Sequence, residues 1–422
     1  MKVARFFVRF FFCFALLICI LIFTAIFYLQ NNISDDYKIK KGENLFINSN
    51  IPVTAEFGGI ELSQSNLHLN VGQNYAVDLK AFGIIPVTQV NVEVVDEMYV
   101  AVLGSPFGMK IYTEGVLVVE LTSVETANGK VSPAKDSGIK LGDYIISVNG
   151  EKITTNEDLS RIVEKSGGEK MKFLISRENK RIYINVTAAV SAETNGYKIG
   201  VWVRDSSAGI GTLTFYSPST GIVCGLGHGI CDEDTDSLLQ LNSGEIVNAE
   251  ILSVEKGEVG APGQLNGKFG VNTLGKICLN SNAGVYSRLD SEINYTYLTE
   301  VALKNEISDG SAQILCTVDG NTPKLYDCKV KVRVSAFHSK TQNMIVTVTD
   351  SALLDATGGI VQGLSGSPIL QNGKLIGAVT HVLIDDPTKG YGIFAENMLE
   401  TAQSVGDGST LPKKNNQLKD AS

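Results

Sequence analysis

Three patterns of apolar and polar residues divide this 422-residue chain. The first is an uncharged apolar run from Phe10 to Leu29, preceded by Lys2, Arg5 and Arg9. About 20 such residues cross a bilayer as a helix, so residues 1–30 are expected to form a transmembrane anchor. Positive charge on the N-terminal flank puts that end in the cytoplasm and everything after the run outside it. The run is long and bulky and lacks a small-x-small site near its end, which argues against a cleaved secretory signal. The second pattern has period two. Leu67-His68-Leu69-Asn70-Val71 and Val90-Asn91-Val92-Glu93-Val94 alternate as half-buried strands do. A small β domain is expected over 50–97, tethered by a polar linker of mixed charge, 31–49. The third pattern, over 195–402, sets short strand-like segments between Gly, Asn and Asp turns, with few helical periods. That is how an all-β sandwich or barrel reads. The polar stretch 403–422 reads as a disordered tail.

Between the second and third blocks, residues 98–192 carry a more specific order. Gly104-Ser105-Pro106-Phe107-Gly108-Met109 is a glycine-rich turn entering a strand, and Gly115–Leu121 is strongly apolar. Leu141-Gly142-Asp143-Tyr144-Ile145-Ile146-Ser147-Val148-Asn149-Gly150 follows, then an amphipathic helix from Asn156 to Lys165 ended by Ser166-Gly167-Gly168. The run resembles a bacterial-type PDZ domain, an α+β module that binds an extended peptide as an added strand. The resemblance implies that a peptide carboxylate meets backbone N–H groups around Phe107, Gly108 and Met109, beside the helix from Asn156.

Composition narrows the function classes. Formal net charge is -9, which disfavours a nucleic-acid partner. Of seven cysteines, Cys13 and Cys19 lie in the apolar run. The other five are odd in number and match no dense disulfide framework. Cys316 and Cys328 could pair across a turn. No CxxC or HExxH spacing appears, so neither a metal nor another cofactor is expected.

The chemistry centres on Gly363-Leu364-Ser365-Gly366-Ser367-Pro368. Glycines around a serine free two backbone N–H groups, those of Gly363 and Ser365, to face the oxygen of an attacked carbonyl. A serine hydroxyl needs a base. Of the four histidines, His228 sits between glycines in Gly225-Leu226-Gly227-His228-Gly229 after an apolar strand, and is preferred. His381 follows the serine on the next strand, Gly377–Thr380 being the expected edge for a substrate backbone. His338 is in a polar stretch and His68 lies outside the block. An orienting carboxylate is expected from Asp350, at the end of Met344–Thr349, with Asp355 as rival. A capping role for Asp350 also fits. The order His228, Asp350, Ser365 is that of the chymotrypsin class. Leu364 replaces the aspartate that pairs with a new N-terminus after zymogen cleavage in that class. Ser367 replaces its second glycine and is a rival nucleophile.

The whole arrangement resembles the stage IV sporulation protein B peptidase family of endospore-forming Firmicutes. It rests on the anchor, the β segment, the PDZ-like run, Gly227-His228-Gly229, Val348-Thr349-Asp350, Thr357–Gly363 and Ser365-Gly366-Ser367-Pro368. The resemblance implies a mainly β chain with a chymotrypsin-like double-barrel peptidase domain and His228, Asp350 and Ser365 as its triad. It also implies self-cleavage, and action between the two forespore membranes on a regulator of an intramembrane protease, releasing a mother-cell sigma factor. HtrA-type peptidases place PDZ domains after the protease, the reverse of the order here. The alternative is a catalytically inactive, membrane-anchored PDZ adaptor.

Overall fold

The computed structural model describes residues 2–407 apart from 44, 46, 48, 50, 63–68, 179, 292 and 334–339. His68 and His338 therefore lie outside the described residues, as do 408–422 of the expected tail. The first helix, Lys2–Asn32, contains a 22-residue stretch, Phe10–Asn31, of mean hydropathy 3.0, long and apolar enough to cross a membrane. Its end is docked. Leu29 and Ile33 are buried with Val77, Leu79 and Val92 in the core of the small β domain, and Gln30 Nε2 donates to the Val87 carbonyl at 2.9 Å.

That domain is a five-stranded sheet. One of its strands, Asp36–Lys40, falls in the expected linker and pairs in parallel with Asn91–Val95. Its alternating Tyr37 and Ile39 are buried, while Asp36 and Lys38 disguise the pattern as a charged tether. Lys40 is only 2% exposed. Its ammonium is held by Glu300 and by Glu306 (2.7 Å), and Lys374 joins the same two carboxylates at 3.0 and 2.8 Å. These groups lock the small domain onto the downstream block.

The rest is mainly β and is built on two six-stranded barrels. In the first, pairing runs from Pro106–Leu121 through Leu241–Glu255, Gln264–Ser281, Gly284–Leu289, Ile222–Gly225 and Val201–Ser217, then back to Pro106–Leu121. In the second, Gly310–Cys316, Lys324–Val332, Met344–Val348, Asp386–Phe394, Lys374–Leu383 and Pro368–Gln371 close on themselves. The helix Ala395–Gly406 covers the seam, its Met398, Leu399 and Ala402 buried against residues of both barrels. Residues 403–406, expected in the tail, belong to this helix.

The PDZ-like module is inserted into the first barrel rather than preceding it. Pro106–Leu121 and Val201–Ser217 pair from Phe107↔Gly211 to Tyr112↔Ser206 in the barrel and again from Leu117↔Arg204 to Leu121↔Val201, while residues 113–116 and Asp205, between the two stretches, do not pair across. Residues 122–200 fill the gap between them. Each half of the strand pair serves a different core. Phe107, Met109 and Ile111 pack in the barrel, whereas Val116 and Val118 pack with Ile145, Leu159 and Phe173. The change falls at Gly115, with φ +78, where an added Cβ would lie 2.2 Å from the Ile145 carbonyl oxygen. The expected boundary at 98 is corrected accordingly, since the strand residues before Gly115 belong to the barrel. Inside the module, the Gly142-Asp143 pair is explained by a fully buried carboxylate. Asp143 takes two bonds of 2.7 Å from Arg177 and one of 2.8 Å from Lys140 N–H.

Lys40 supplies the first prediction. Lys40→Ala leaves Glu300 and Glu306 short of a buried cation and should lower stability to urea by about 3 kcal/mol. A change below about 0.5 kcal/mol, typical of exposed pairs, would show that the contact does not hold the domains together.

Candidate active site

Two loops, one from each barrel, pack against each other. The first follows Ile222–Gly225. Leu226 and Gly227 adopt φ of +66 and +67 ahead of His228, which is half-buried. Its Nδ1 lies 2.8 Å from the Gly229 carbonyl oxygen. A carbonyl only accepts, so this contact keeps the proton on Nδ1 and leaves the Nε2 lone pair available. The His381 ring lies beside it, centroids 4.4 Å apart and planes inclined by 36°. Burial, then the neighbouring His381, pushes the His228 pKa down to about 4. Burial also lowers that of His381. Both rings are therefore neutral at pH 7.

The second loop carries the serine. Gly363 and Gly366 take φ of +97 and +94. Gly366 lies so close to the first barrel that a Cβ would sit 2.0 Å from the Thr212 carbonyl oxygen and 2.4 Å from Leu226 N. The loop is fastened there. Thr212 N–H donates to Ser365 O at 2.9 Å, Thr212 Oγ1 to Gly363 O at 2.9 Å, and Thr214 Oγ1 to Gly366 O at 2.7 Å. Gly366 N–H donates to Val379 O at 2.7 Å. None of the described backbone hydrogen bonds uses the N–H of Gly363 or Ser365. The half-buried Ser365 hydroxyl donates to the Thr380 carbonyl at 2.5 Å. Its rival Ser367 is fully buried and its hydroxyl is spent on Leu364 O at 2.6 Å.

Other expected residues are placed differently. Asp350 is the N-cap of the helix Ser351–Thr357. Its carboxylate accepts from Ala352 and Leu353 N–H at 2.9 and 3.2 Å and from Asp327 N–H at 3.3 Å. Among the described residues no carboxylate hydrogen-bonds His228. Gly229 O holds Nδ1, and Asp350 performs the capping that its place before a helical turn allows. Asp355 is exposed on the same helix. Phe107, Gly108 and Met109 lie inside the barrel, with Gly108 paired to Ile210 on one side and Val247 on the other. A peptide strand has no edge to join there. Gly377 and Ala378 are likewise paired on both sides, by Pro368–Ile369 and Ile393–Phe394. All seven cysteines, Cys316 and Cys328 among them, are unpaired thiols.

The module has an open edge elsewhere. Val201–Arg204 pairs with Leu117–Leu121 on one side only, and its other edge faces the helix Asn156–Lys165. A groove of about 750 Å³ lies between them, lined by Leu159, Ser160, Val163, Lys198, Gly200 and Trp202. Both ends are tied, by Tyr197 N–H to Glu164 Oε2 at 2.8 Å and Asn156 N–H to Asp205 Oδ2 at 3.2 Å. Sequence reasoning passed over this edge and also Thr212 and Thr214. The alternation Thr212-Leu213-Thr214 is the signal that was present, and both threonines are buried on the face opposite Leu213.

Residues 195–399 match the family model described as SpoIVB peptidase S55, and residues 128–177 match that of the PDZ domain. A probable DegP-like periplasmic serine endoprotease of Brucella suis is 36% identical over 143 residues, 32% of this chain and 26% of that protein. The regulator of sigma-W protease RasP of Bacillus subtilis is 36% identical over 75 residues, 18% of this chain and 17% of that protein. The chain thus spans well under half the length of the curated relatives it matches. Solved structures include human heparin binding protein, 13% identical, covering 44% of this chain and 75% of that one with TM-score 0.24. An inactive mutant of Rv3671c from Mycobacterium tuberculosis is also 13% identical, covering 48% and 83% with TM-score 0.25.

The depressed His228 pKa makes a signed prediction. Its folded value of about 4 lies below the ordinary 6.5, so between these pH values the unfolded chain binds a proton that the folded chain refuses. This contribution to stability is complete above about pH 6.5 and is lost as pH falls to about 4. The melting temperature should drop across that window, and His228→Gln should flatten the drop. An unchanged slope in the variant would contradict the burial of the ring.

Proposed function

We propose, from the match of residues 195–399 to the SpoIVB peptidase S55 family model, that this chain is a membrane-anchored serine endopeptidase of that type in which Ser365 is the nucleophile and His228 the base. The observation that carries the reading is the seating of the Ser365 loop, through the bare backbone of Gly366, directly on the loop that bears His228. In the reaction, the Ser365 hydroxyl leaves Thr380 O, Oγ attacks the scissile carbonyl carbon, and its proton passes to Nε2 of His228. The N–H groups of Gly363 and Ser365 receive the resulting oxyanion. Collapse expels the amine, which takes the proton from His228, and leaves an acyl group on Ser365. Water activated by His228 then releases it. A low pKa keeps the ring unprotonated and ready, and the Gly229 carbonyl keeps its tautomer.

Ser365→Ala in the full-length protein should abolish proteolysis, and undiminished cleavage would sink the assignment. The same variant tests self-cleavage between the anchor and the β domain, within residues 31–60. Lys41–Glu43 is an exposed turn in that interval, so new N-termini should cluster near it in the wild type and be missing from Ser365→Ala. Identical termini in both would assign the cut to another protease.

Asp350 acts in this scheme as a positioning residue, holding the helix that leads into Gly358–Gly363. Asn caps helices as well as Asp does, so Asp350→Asn should keep activity within a few-fold. A fall of about 10⁴, the cost of removing a triad carboxylate, would instead give Asp350 the role at His228 that the chain order suggests.

The biological setting is proposed from the family. The N-terminal helix leaves the catalytic part outside the cytoplasm, in the forespore intermembrane space, where the substrate regulates an intramembrane protease and cleavage triggers mother-cell sigma-factor activation. The inactive-adaptor reading draws on one fact, that Ser365 bonds Thr380 rather than His228. Labelling of the wild type by a fluorophosphonate excludes it, and failure to label would support it.

A further inference from the structure

The small β domain flanks the last turns of the N-terminal helix instead of standing clear of them. Every residue from 10 to 24 is exposed, but Ala25 and Ile26 are half-buried and Leu29 is buried. Ala25 and Ile26 share the helix face of Leu29, and all three lie inside the apolar stretch Phe10–Asn31. The register gives the direction. Gln30 bonds the Val87 carbonyl, and Asp36 then pairs in parallel with Asn91. Going back down the helix therefore leads back along the strand Ile85–Val95 to its start. Before that start comes the turn Phe82-Gly83-Ile84, which joins it to the strand Asn74–Ala81. From Val87 down to this turn is roughly 10 to 16 Å at ~3.3 Å per residue. At ~1.5 Å per residue, a drop of about 10 Å takes the helix back some seven residues, well into its apolar stretch.

The turn has the chemistry of a surface that meets lipid. Phe82 is 59% and Ile84 77% exposed. Phe82 takes φ +53, with its N–H held by the Pro52 carbonyl at 2.9 Å. A turn position of that kind ordinarily carries Gly, Asn or Asp, so local geometry does not account for an aromatic ring there. No charged residue occurs between Lys80 and Glu93, and Ile51-Pro52-Val53, brought alongside by the pairing of Val53 with Ala81, is uncharged as well. Charge gathers at the other end of the same strands, in Glu93, Asp96 and Glu97 and in Lys40 and Lys41. The sheet is thus polarised along its strands, with the apolar end toward the membrane-spanning stretch. At that level the surrounding medium is lipid, and exposed aromatic side chains are at home in its head-group zone.

We propose that the turn Phe82-Gly83-Ile84 is a second membrane contact, seated beside the helix in the head-group zone of the leaflet from which the chain emerges. The inference rests on the reading of the N-terminal helix as a membrane anchor and does not depend on which serine is the nucleophile. A lone helix would let the rest of the chain swivel about its axis. Two points of contact fix the small domain on the bilayer. Lys40, held by Glu300 and Glu306, carries that orientation to the barrels, so the peptidase stands at a set height and tilt over the lipid.

The test uses the full-length chain in vesicles of phosphatidylcholine and phosphatidylglycerol, carrying Ser365→Ala so that self-cleavage does not intervene. Trp202, the single tryptophan, is removed as Trp202→Phe. One tryptophan is then introduced, either as Ile84→Trp at the turn or as Ile60→Trp. Ile60 is 53% exposed and pairs with Phe57, at the end of the sheet away from the turn. Phosphatidylcholine brominated close to its head group is the quencher. The Ile84→Trp emission should fall steeply in the brominated vesicles and lie to the blue of the Ile60→Trp emission, which should not change. Acrylamide in the water should quench the two in the reverse order. A protein that floats with the vesicles, but whose Ile84→Trp emission ignores the bromines, overturns the second contact and leaves the anchor standing. Equal quenching at both positions overturns it too, since the sheet would then lie flat on the lipid. A protein that does not float with the vesicles overturns the anchor, and the second contact with it. Should Ile84→Trp not fold, Phe82→Trp keeps an aromatic ring at the turn and reads the same contact.

Discussion

The site depends on backbone approaching backbone across two barrels. Gly366 has no side chain, so the loop bearing Ser365 comes within contact of Thr212 O and Leu226 N. Gly227 packs closely in return, its Cβ position lying 3.0 Å from the side chains of Thr380 and Ile393. The hydroxyls of Thr212 and Thr214, both buried where the barrels meet, take up the carbonyls of Gly363 and Gly366. Each barrel thus supplies half of a site that neither holds alone. The hydrogen bonds that fix it leave the N–H groups of Gly363 and Ser365 unused among the described backbone bonds.

Insertion of the PDZ module into the Pro106–Leu121 and Val201–Ser217 hairpin shapes the rest of the molecule. Tyr144 and Ile146 of the module are buried in the barrel core, and Tyr144 OH accepts from Gln240 N–H at 3.2 Å. The module is continuous with the barrel through two strands and packed against it through side chains. The small β domain is joined as firmly at its own border, by Lys40 between two carboxylates.

Local signals were legible and non-local ones were not. The long apolar N-terminal helix, the all-β character of 195–402 and the turns of the Gly363–Ser367 loop follow from short-range rules of periodicity, turn chemistry and glycine placement, whereas the PDZ-like module and the double barrel came from resemblance. Phe107-Gly108-Met109 was misread because a glycine turn entering an apolar strand looks the same at a ligand edge and inside a barrel. Only the pairing of both sides by Ile210 and Val247 separates them. Asp350 was read as a triad member on chain order, a feature that does not report where a carboxylate points. Its position just before Ser351–Thr357 favoured the cap that the structure shows. Asp36–Lys40 went unseen because charged residues flank its two buried apolar ones and its partner, Asn91–Val95, lies far along the chain.

The central claim is that the hydroxyl of residue 365, and not its buried neighbour at 367, is made reactive by the imidazole of residue 228. Peptide mapping of the fluorophosphonate adduct on the intact protein tests it most directly. The account predicts a single adduct on Ser365 in the wild type, lost in His228→Gln with the fold intact. An adduct on Ser367, or one on Ser365 that forms equally fast without the imidazole, would contradict it.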